Sequence, residues 1–138
     1  FSRLNILIMK EVIIGLVIIA IIAAILYFTY NDSQIATHMT VKEARDALES
    51  GKIRSVVDVR GATEFQAGHF PDAVHFELKT INPQTVERKV ISERIYTPTL
   101  VYCRTGKRAK VGAELLAKYG LNDVYYVSVP YWKLTDKE

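Results

Sequence analysis

The sequence predicts an α/β fold: a parallel central sheet flanked by helices, preceded by one transmembrane helix. Three observations predict it. From Thr40 onward, short apolar runs, partly β-branched, alternate with helical patterns, and such alternation makes parallel sheets with right-handed crossovers. The single cysteine, Cys103, ends one of those runs and opens a basic, glycine-containing loop. Residues 12–30 carry no charge and are mostly Ile, Val, Leu and Ala.

At ~1.5 Å per residue, residues 12–30 span roughly 28 Å, close to a hydrocarbon core of about 30 Å. Tyr27, Phe28 and Tyr30 gather at one end, where interfacial aromatics belong. A secretory h-region is shorter, about 7–15 residues, and no small-residue cleavage site follows. The expected organisation is therefore an N-terminal flank over residues 1–11, a single-pass anchor over 12–30, a polar tether over 31–38 and a folded domain over 39–138. Arg3 and Lys10 precede the anchor and Asp32 follows it. That bias places the N-terminus in the cytoplasm and the domain on the non-cytoplasmic side.

Composition narrows the function. Lys and Arg number 18 against 15 for Asp and Glu, and the net charge is +3. Apart from the cysteine loop the bases are scattered, which argues against nucleic acid as a partner. One cysteine excludes an internal disulfide and a Cys-rich metal site. His38, His69 and His75 lack metal-ligand spacing, so no metal is expected.

Along the domain, Thr40-Val41-Lys42-Glu43 is a capping box. Val41, Ala44 and Leu48 then share a helical face, and Gly51 closes the helix. Val56 to Val59 reads as a buried strand, Arg60-Gly61 as a turn, and Thr63 as the cap of a short helix to Ala67. Gly68 to Asp72 is turn-rich and leads to a strand near Val74-His75-Phe76. Asn82 caps a helix with Pro83 in its first position, running to about Ser92. Leu100-Val101-Tyr102 is a buried strand. Val111, Leu115 and Tyr119, widened by Ala113 and Leu116, form a helical stripe that Gly120 stops. Asp123 to Val127 is the last strand, with one ring of Tyr125-Tyr126 on each side.

The chemistry centres on Cys103-Arg104-Thr105-Gly106-Lys107-Arg108. A loop entering a helix points N–H groups inward, and the helix N-terminus carries partial positive charge. Arg104, Lys107 and Arg108 add formal positive charge. Such surroundings favour thiolate, the nucleophilic form, over thiol. An inert structural cysteine is not normally ringed by bases. Sites in parallel sheets lie at the carboxyl ends of the strands, which brings Asp58-Val59-Arg60 to the same edge. Asp58 is expected to bind local backbone N–H groups and Arg60 to pair with Glu64. His69 is expected to bond backbone in its turn, and Trp132 to serve packing.

Cys-Arg-x-Gly-x-Arg between a strand and a helix resembles the active-site loop of rhodanese-family sulfurtransferases. Val57-Asp58-Val59-Arg60 resembles the family's Asp-Val-Arg segment. Glu64-Phe65-Gln66-Ala67-Gly68-His69-Phe70-Pro71-Asp72-Ala73 resembles its Glu-x-x-x-Gly-His-Ile-Pro-Gly-Ala stretch. Trp132 stands where the family often has tryptophan. Two positions depart: Asp72 replaces a glycine, and Ser128-Val129-Pro130 replaces a Gly-Gly pair. The resemblance covers about Thr37 to Leu134.

What the resemblance implies is sulfur transfer through a persulfide on Cys103, with thiosulfate as a donor and cyanide or a thiol as acceptor. Backbone N–H groups of Arg104, Thr105, Gly106, Lys107, Arg108 and Ala109 would hold the outer sulfur. Arg104, Lys107 and Arg108 would attract the anionic donor, with Asp58 and Arg60 in support and no organic cofactor. A related phosphatase or arsenate reductase would need the arginine six positions after the cysteine; that position is Ala109, and Arg108 falls five after. A persulfide-carrier or docking module with little turnover is the remaining rival.

Overall fold

The structure, a computed structural model, describes residues 2–32 and 35–136. The chain divides into two compact units, residues 1–33 and 34–138.

The first unit is one helix, α1 (Arg3–Asp32). It starts well before the charge-free segment, so Lys10 and Glu11 lie within it. Its apolar side chains, from Leu4 to Tyr30, are largely exposed. The apolar stretch Arg3–Tyr30 has 28 residues, roughly 42 Å of helix, longer than the hydrocarbon core it resembles.

The second unit runs β1 (Thr37–His38), α2 (Val41–Glu49), β2 (Ser55–Asp58), α3 (Ala62–Ala67), β3 (Val74–His75), a 3₁₀ turn (Leu78–Thr80), α4 (Pro83–Ser92), β4 (Thr99–Tyr102), α5 (Lys107–Lys118), β5 (Val124–Tyr126) and α6 (Trp132–Thr135). All strand pairs are parallel, in the order β1-β5-β4-β2-β3. The parallel α/β sheet predicted from the alternation is present. The tether assignment over 31–38 needs correcting at its far end: Thr37 and His38 pair with Tyr125 and Tyr126 as an edge strand. Residues 33 and 34 of that tether, like Phe1 and the last two positions of the domain, lie outside the described residues.

Helix starts follow the local chemistry. The Thr40 hydroxyl accepts the Glu43 N–H, and the Glu43 carboxylate accepts the Thr40 N–H. Asn82 caps α4 through the Thr85 N–H, with Pro83 in the first turn. The short helix α3 is not capped by Thr63. Gly61 occupies that position, and its N–H donates to the Glu64 carboxylate at 3.1 Å.

Successive β4 residues face opposite sides of the sheet. Leu100 and Tyr102 join the core under α2 and α6 with Val56, Ala44, Val127 and Leu134. Val101 and Cys103 join the core under α4 and α5 with Val57, Val86, Ala113 and Leu116. Tyr125 and Tyr126 divide between the two cores as expected. The buried face of α5 is rotated from the expected stripe. It consists of Ala109, Gly112, Ala113, Leu116 and Ala117, while Val111 is 47% exposed. Small residues win because the helix lies close to the sheet: a Cβ on Gly112 would stand 2.9 Å from the Val59 side chain. Leu115 and Tyr119 cover the rim of the same core.

On the α2 side, Arg60 makes a bidentate pair with the fully buried Asp58 at 2.7–3.0 Å. The same Nη2 that bonds Asp58 also donates to the Gly68 carbonyl at 2.6 Å. The Tyr102 hydroxyl donates to Asp58 at 2.6 Å and accepts the Phe70 N–H at 3.0 Å. Hydrogen bonding to Asp58 raises the Arg60 pKa. Burial, and then the bond to Asp58, pushes the Tyr102 phenol well up. Removing one partner leaves a buried group uncompensated, so Tyr102→Phe should cost about 1–3 kcal/mol and Asp58→Ala about 3–5 kcal/mol. Urea unfolding followed through Trp132, the single tryptophan, measures both. Equal, sub-kilocalorie losses would contradict the network.

Candidate active site

Cys103 follows the last residue of β4, the central strand, and has no accessible surface. Gly106, in the left-handed region at φ 95°, turns the chain into α5. That turn aims two orphan amides of the helix start at the sulfur. The Gly106 N–H donates to Cys103 Sγ at 3.0 Å and the Ala109 N–H at 3.3 Å. The resemblance gives the six amides of Arg104 to Ala109 to the outer sulfur of a persulfide; those of Gly106 and Ala109 bind the cysteine sulfur itself. A thiolate in this position accepts charge-assisted hydrogen bonds from a fixed cradle.

The three loop cations do not act alike. Arg108 makes a two-pronged bond with Glu64 at 2.6 and 2.9 Å, tying the first turn of α5 to α3. Its charge is therefore largely met within the protein. Arg104 and Lys107, with Thr105 between them, are exposed. They supply the outward positive charge at the mouth of the loop.

Arg60 does not pair with Glu64. Its partner is Asp58, two residues back, because both side chains point to the α2 side of the sheet. Asp58 accepts the Arg60 N–H at 2.9 Å, as expected of a turn carboxylate. Cys103 joins the opposite core, so these two residues brace the strand ends from behind rather than line the cradle. His69 Nδ1 bonds the Phe65 carbonyl at 2.8 Å, within its own turn. Trp132 is 44% exposed and packs edge-on against Tyr131.

Three residues contribute in ways that were not read from the sequence. Glu64 is one; its spacing from Gly61 carries a capping signal, but the tie to Arg108 spans 44 residues. Tyr102 is another, reading simply as an apolar strand residue. Ser128 is the third: a Cβ on Gly106 would stand 2.6 Å from the Ser128 Cα, Cβ and Oγ. The wall after β5 therefore rests directly on the loop.

The rhodanese-like domain pattern matches residues 40–131. The chain belongs to the rhodanese-like domain family. It is 29% identical over 96 residues to the thiosulfate sulfurtransferase GlpE of Pseudomonas savastanoi pv. phaseolicola, covering 68% of this chain and 84% of that one. It is 32% identical over 91 residues to the tRNA uridine(34) hydroxylase of Chlamydia caviae, covering 64% of this chain but only 27% of the hydroxylase. Among solved structures, a human single-domain sulfurtransferase superposes with a TM-score of 0.57 at 22% identity, over 75% of this chain and 99% of that one. A single-domain sulfurtransferase of Saccharomyces cerevisiae gives 0.55 at 18% identity, over 73% and 89%. At those identities the structures establish the shared fold. Within the rhodanese-like fold, the cradle at Cys103 is the cysteine loop identified from sequence.

Two predictions concern the loop. Gly106 and Gly120 both have positive φ, at 95° and 112°, but a Cβ at Gly120 meets nothing within 4 Å. Gly120→Ala should cost backbone strain alone, about 1 kcal/mol. Gly106→Ala adds a collision with Ser128 and should cost about 1–3 kcal/mol more, read from paired urea-unfolding curves. Indistinguishable curves would refute the close approach.

The Arg108 hydrogen bonds, aided by the Gly61 N–H and opposed by partial burial, hold the Glu64 carboxyl at about 2, below its ordinary 4.5. Because the folded value is depressed, the tie contributes fully above about 4.5 and is lost as pH falls from there toward 2. Carboxyl NMR titration should show a Glu64 midpoint well under the ordinary value; a midpoint near 4.5 would mean the pair does not form in solution.

Proposed function

We propose that this chain is a membrane-anchored, single-domain sulfurtransferase that moves sulfane sulfur from an anionic donor such as thiosulfate to a thiophilic acceptor. The observation that carries the reading is the cysteine sulfur held by the Gly106 and Ala109 amides at the end of β4, in a rhodanese-like domain. The 29% identity to a thiosulfate sulfurtransferase over most of that protein's length supports it. Anchoring rests on α1, a helix long and apolar enough to cross a membrane. The charges flanking that helix support a catalytic domain on the non-cytoplasmic side.

In the first half-reaction the Cys103 thiolate attacks the outer sulfur of thiosulfate. The S–S bond breaks, sulfite leaves with the electron pair, and Cys103 carries a persulfide anion. In the second, an acceptor such as cyanide attacks the outer sulfur and the Cys103 thiolate leaves. The amides of Arg104, Thr105, Gly106, Lys107, Arg108 and Ala109 form the cradle in which the outer sulfur is bound. Arg104 and Lys107 raise the local concentration of anionic donor. Arg108, engaged with Glu64, shapes the cradle instead of reaching out for the donor. Asp58 and Arg60 support it through the strand ends.

A persulfide-carrier module with little turnover is the second reading, favoured by the absence of accessible surface on Cys103. Steady-state turnover with thiosulfate and cyanide separates the two. Intact-mass analysis of the detergent-solubilised chain after thiosulfate should show one added sulfur, which cyanide removes. Cys103→Ser should abolish both the added mass and the turnover, because a hydroxyl is barely ionised near neutral pH and cannot carry sulfane sulfur. Sulfur transfer by the serine variant would refute the assignment.

A further inference from the structure

His38 has no role assigned above, yet it reaches the cysteine loop through Ser128. The strand register shows how. Val101, Tyr126 and His38 occupy one row across β4, β5 and β1. The ladder continues through the Val127 N–H to the Val101 carbonyl at 3.1 Å. Two residues beyond Val101 and Tyr126, just past the ends of β4 and β5, come Cys103 and Ser128. Side chains alternate along a strand, so Cys103, Ser128, Tyr126 and His38 all fall on the α5 side. The His38 ring packs edge-on against Tyr126 at 5.2 Å, and its Nε2 lies 3.2 Å from Ser128 Oγ. Ser128 in turn touches Gly106, whose N–H binds the cysteine sulfur. A hydroxyl bonded to an imidazole thus forms one wall of the loop, and the imidazole is open to solvent.

We propose that Ser128 and His38 form a proton relay for the acceptor half-reaction, specific for acceptors that arrive as protonated thiols. The inference rests on the sulfurtransferase reading. A free thiol has a pKa of about 8.5 and arrives mostly protonated at neutral pH. As its sulfur attacks the outer persulfide sulfur, the S–H proton passes to Ser128 Oγ while the Ser128 O–H donates to His38 Nε2. The S–S bond at Cys103 breaks and Cys103 leaves as thiolate. The new persulfide, R–S–S⁻, takes the proton back from the imidazolium and departs as R–S–SH. Atoms and charge balance without any oxidant or reductant. This assigns His38 the tautomer with its proton on Nδ1. The charged and titratable groups near the ring are Glu43, Asp46 and Lys52 around the adjoining hollow, with Tyr125 there and Tyr126 against the ring.

The test is single-turnover transfer from the persulfide-loaded full chain in detergent, to dithiothreitol and, separately, to sulfite at mildly alkaline pH. Sulfite then has no proton to lose, so the ratio of the two rate constants isolates the relay. His38→Gln should lower the thiol-to-sulfite ratio about tenfold or more. Ser128→Ala should lower it likewise, and Ser128→Thr, which keeps the hydroxyl, should restore it. An unchanged ratio overturns the relay, whether both rates hold or both fall together as they would after a structural disturbance. A wild-type chain that loads sulfur but shows no such ratio change on substitution refutes this inference alone. One that takes up no sulfur from thiosulfate overturns the sulfurtransferase reading and the relay with it.

Discussion

The amides of Gly106 and Ala109 converge on the Cys103 sulfur, and that convergence dictates much of what surrounds it. It requires the chain to leave β4 at Tyr102, reverse at once and enter α5 at Lys107. Only a residue without Cβ meets the reversal comfortably, since Gly106 has φ 95° and touches Ser128. It also requires α5 to lie close over the sheet. Ala109, Gly112, Ala113 and Ala117 permit that approach. A helix with larger residues on this face would stand off, and its first amides would miss the sulfur.

The sheet separates this chemistry from a second polar cluster. On the α5 side the sulfur is held by amides alone. On the α2 side Asp58, Arg60 and Tyr102 form a closed set of hydrogen bonds that reaches the turn at Gly68 and Phe70. Buried charges of this kind are tolerable only when fully paired, and here each is. The cluster keeps the ends of β2 and β4 in register, so Cys103 begins from a fixed point. Charge is sorted in the same way. Arg108 is spent on Glu64, which leaves Arg104 and Lys107 facing outward.

Much of the fold was legible because its signals are local. The capping box at Thr40, the Asn82-Pro83 helix start and the β4–loop–α5 passage each depend on residues within a few positions. The edge strand at Thr37–His38 was not legible. Two residues carry no period, and their strand character exists only through pairing with β5. The α5 face was misjudged for a related reason. Periodicity weighs large apolar residues, whereas the depth of burial here follows how closely Gly112 meets Val59.

The sequence by itself determined the fold class, the apolar N-terminal helix and the place of the cysteine between a strand and a helix. Each is written in composition or in a short motif, and short-range physics suffices to read it. Tertiary structure alone decided the partners: Arg60 with Asp58 and not Glu64, Glu64 with Arg108, Tyr102 with Asp58, and Ser128 with both His38 and Gly106. Apart from Arg60 and Asp58, those partners are tens of residues apart. Even that close pair was misassigned, because which side of the sheet a side chain faces depends on strand register. Register comes from packing the whole domain, so it is absent from any local window of the chain.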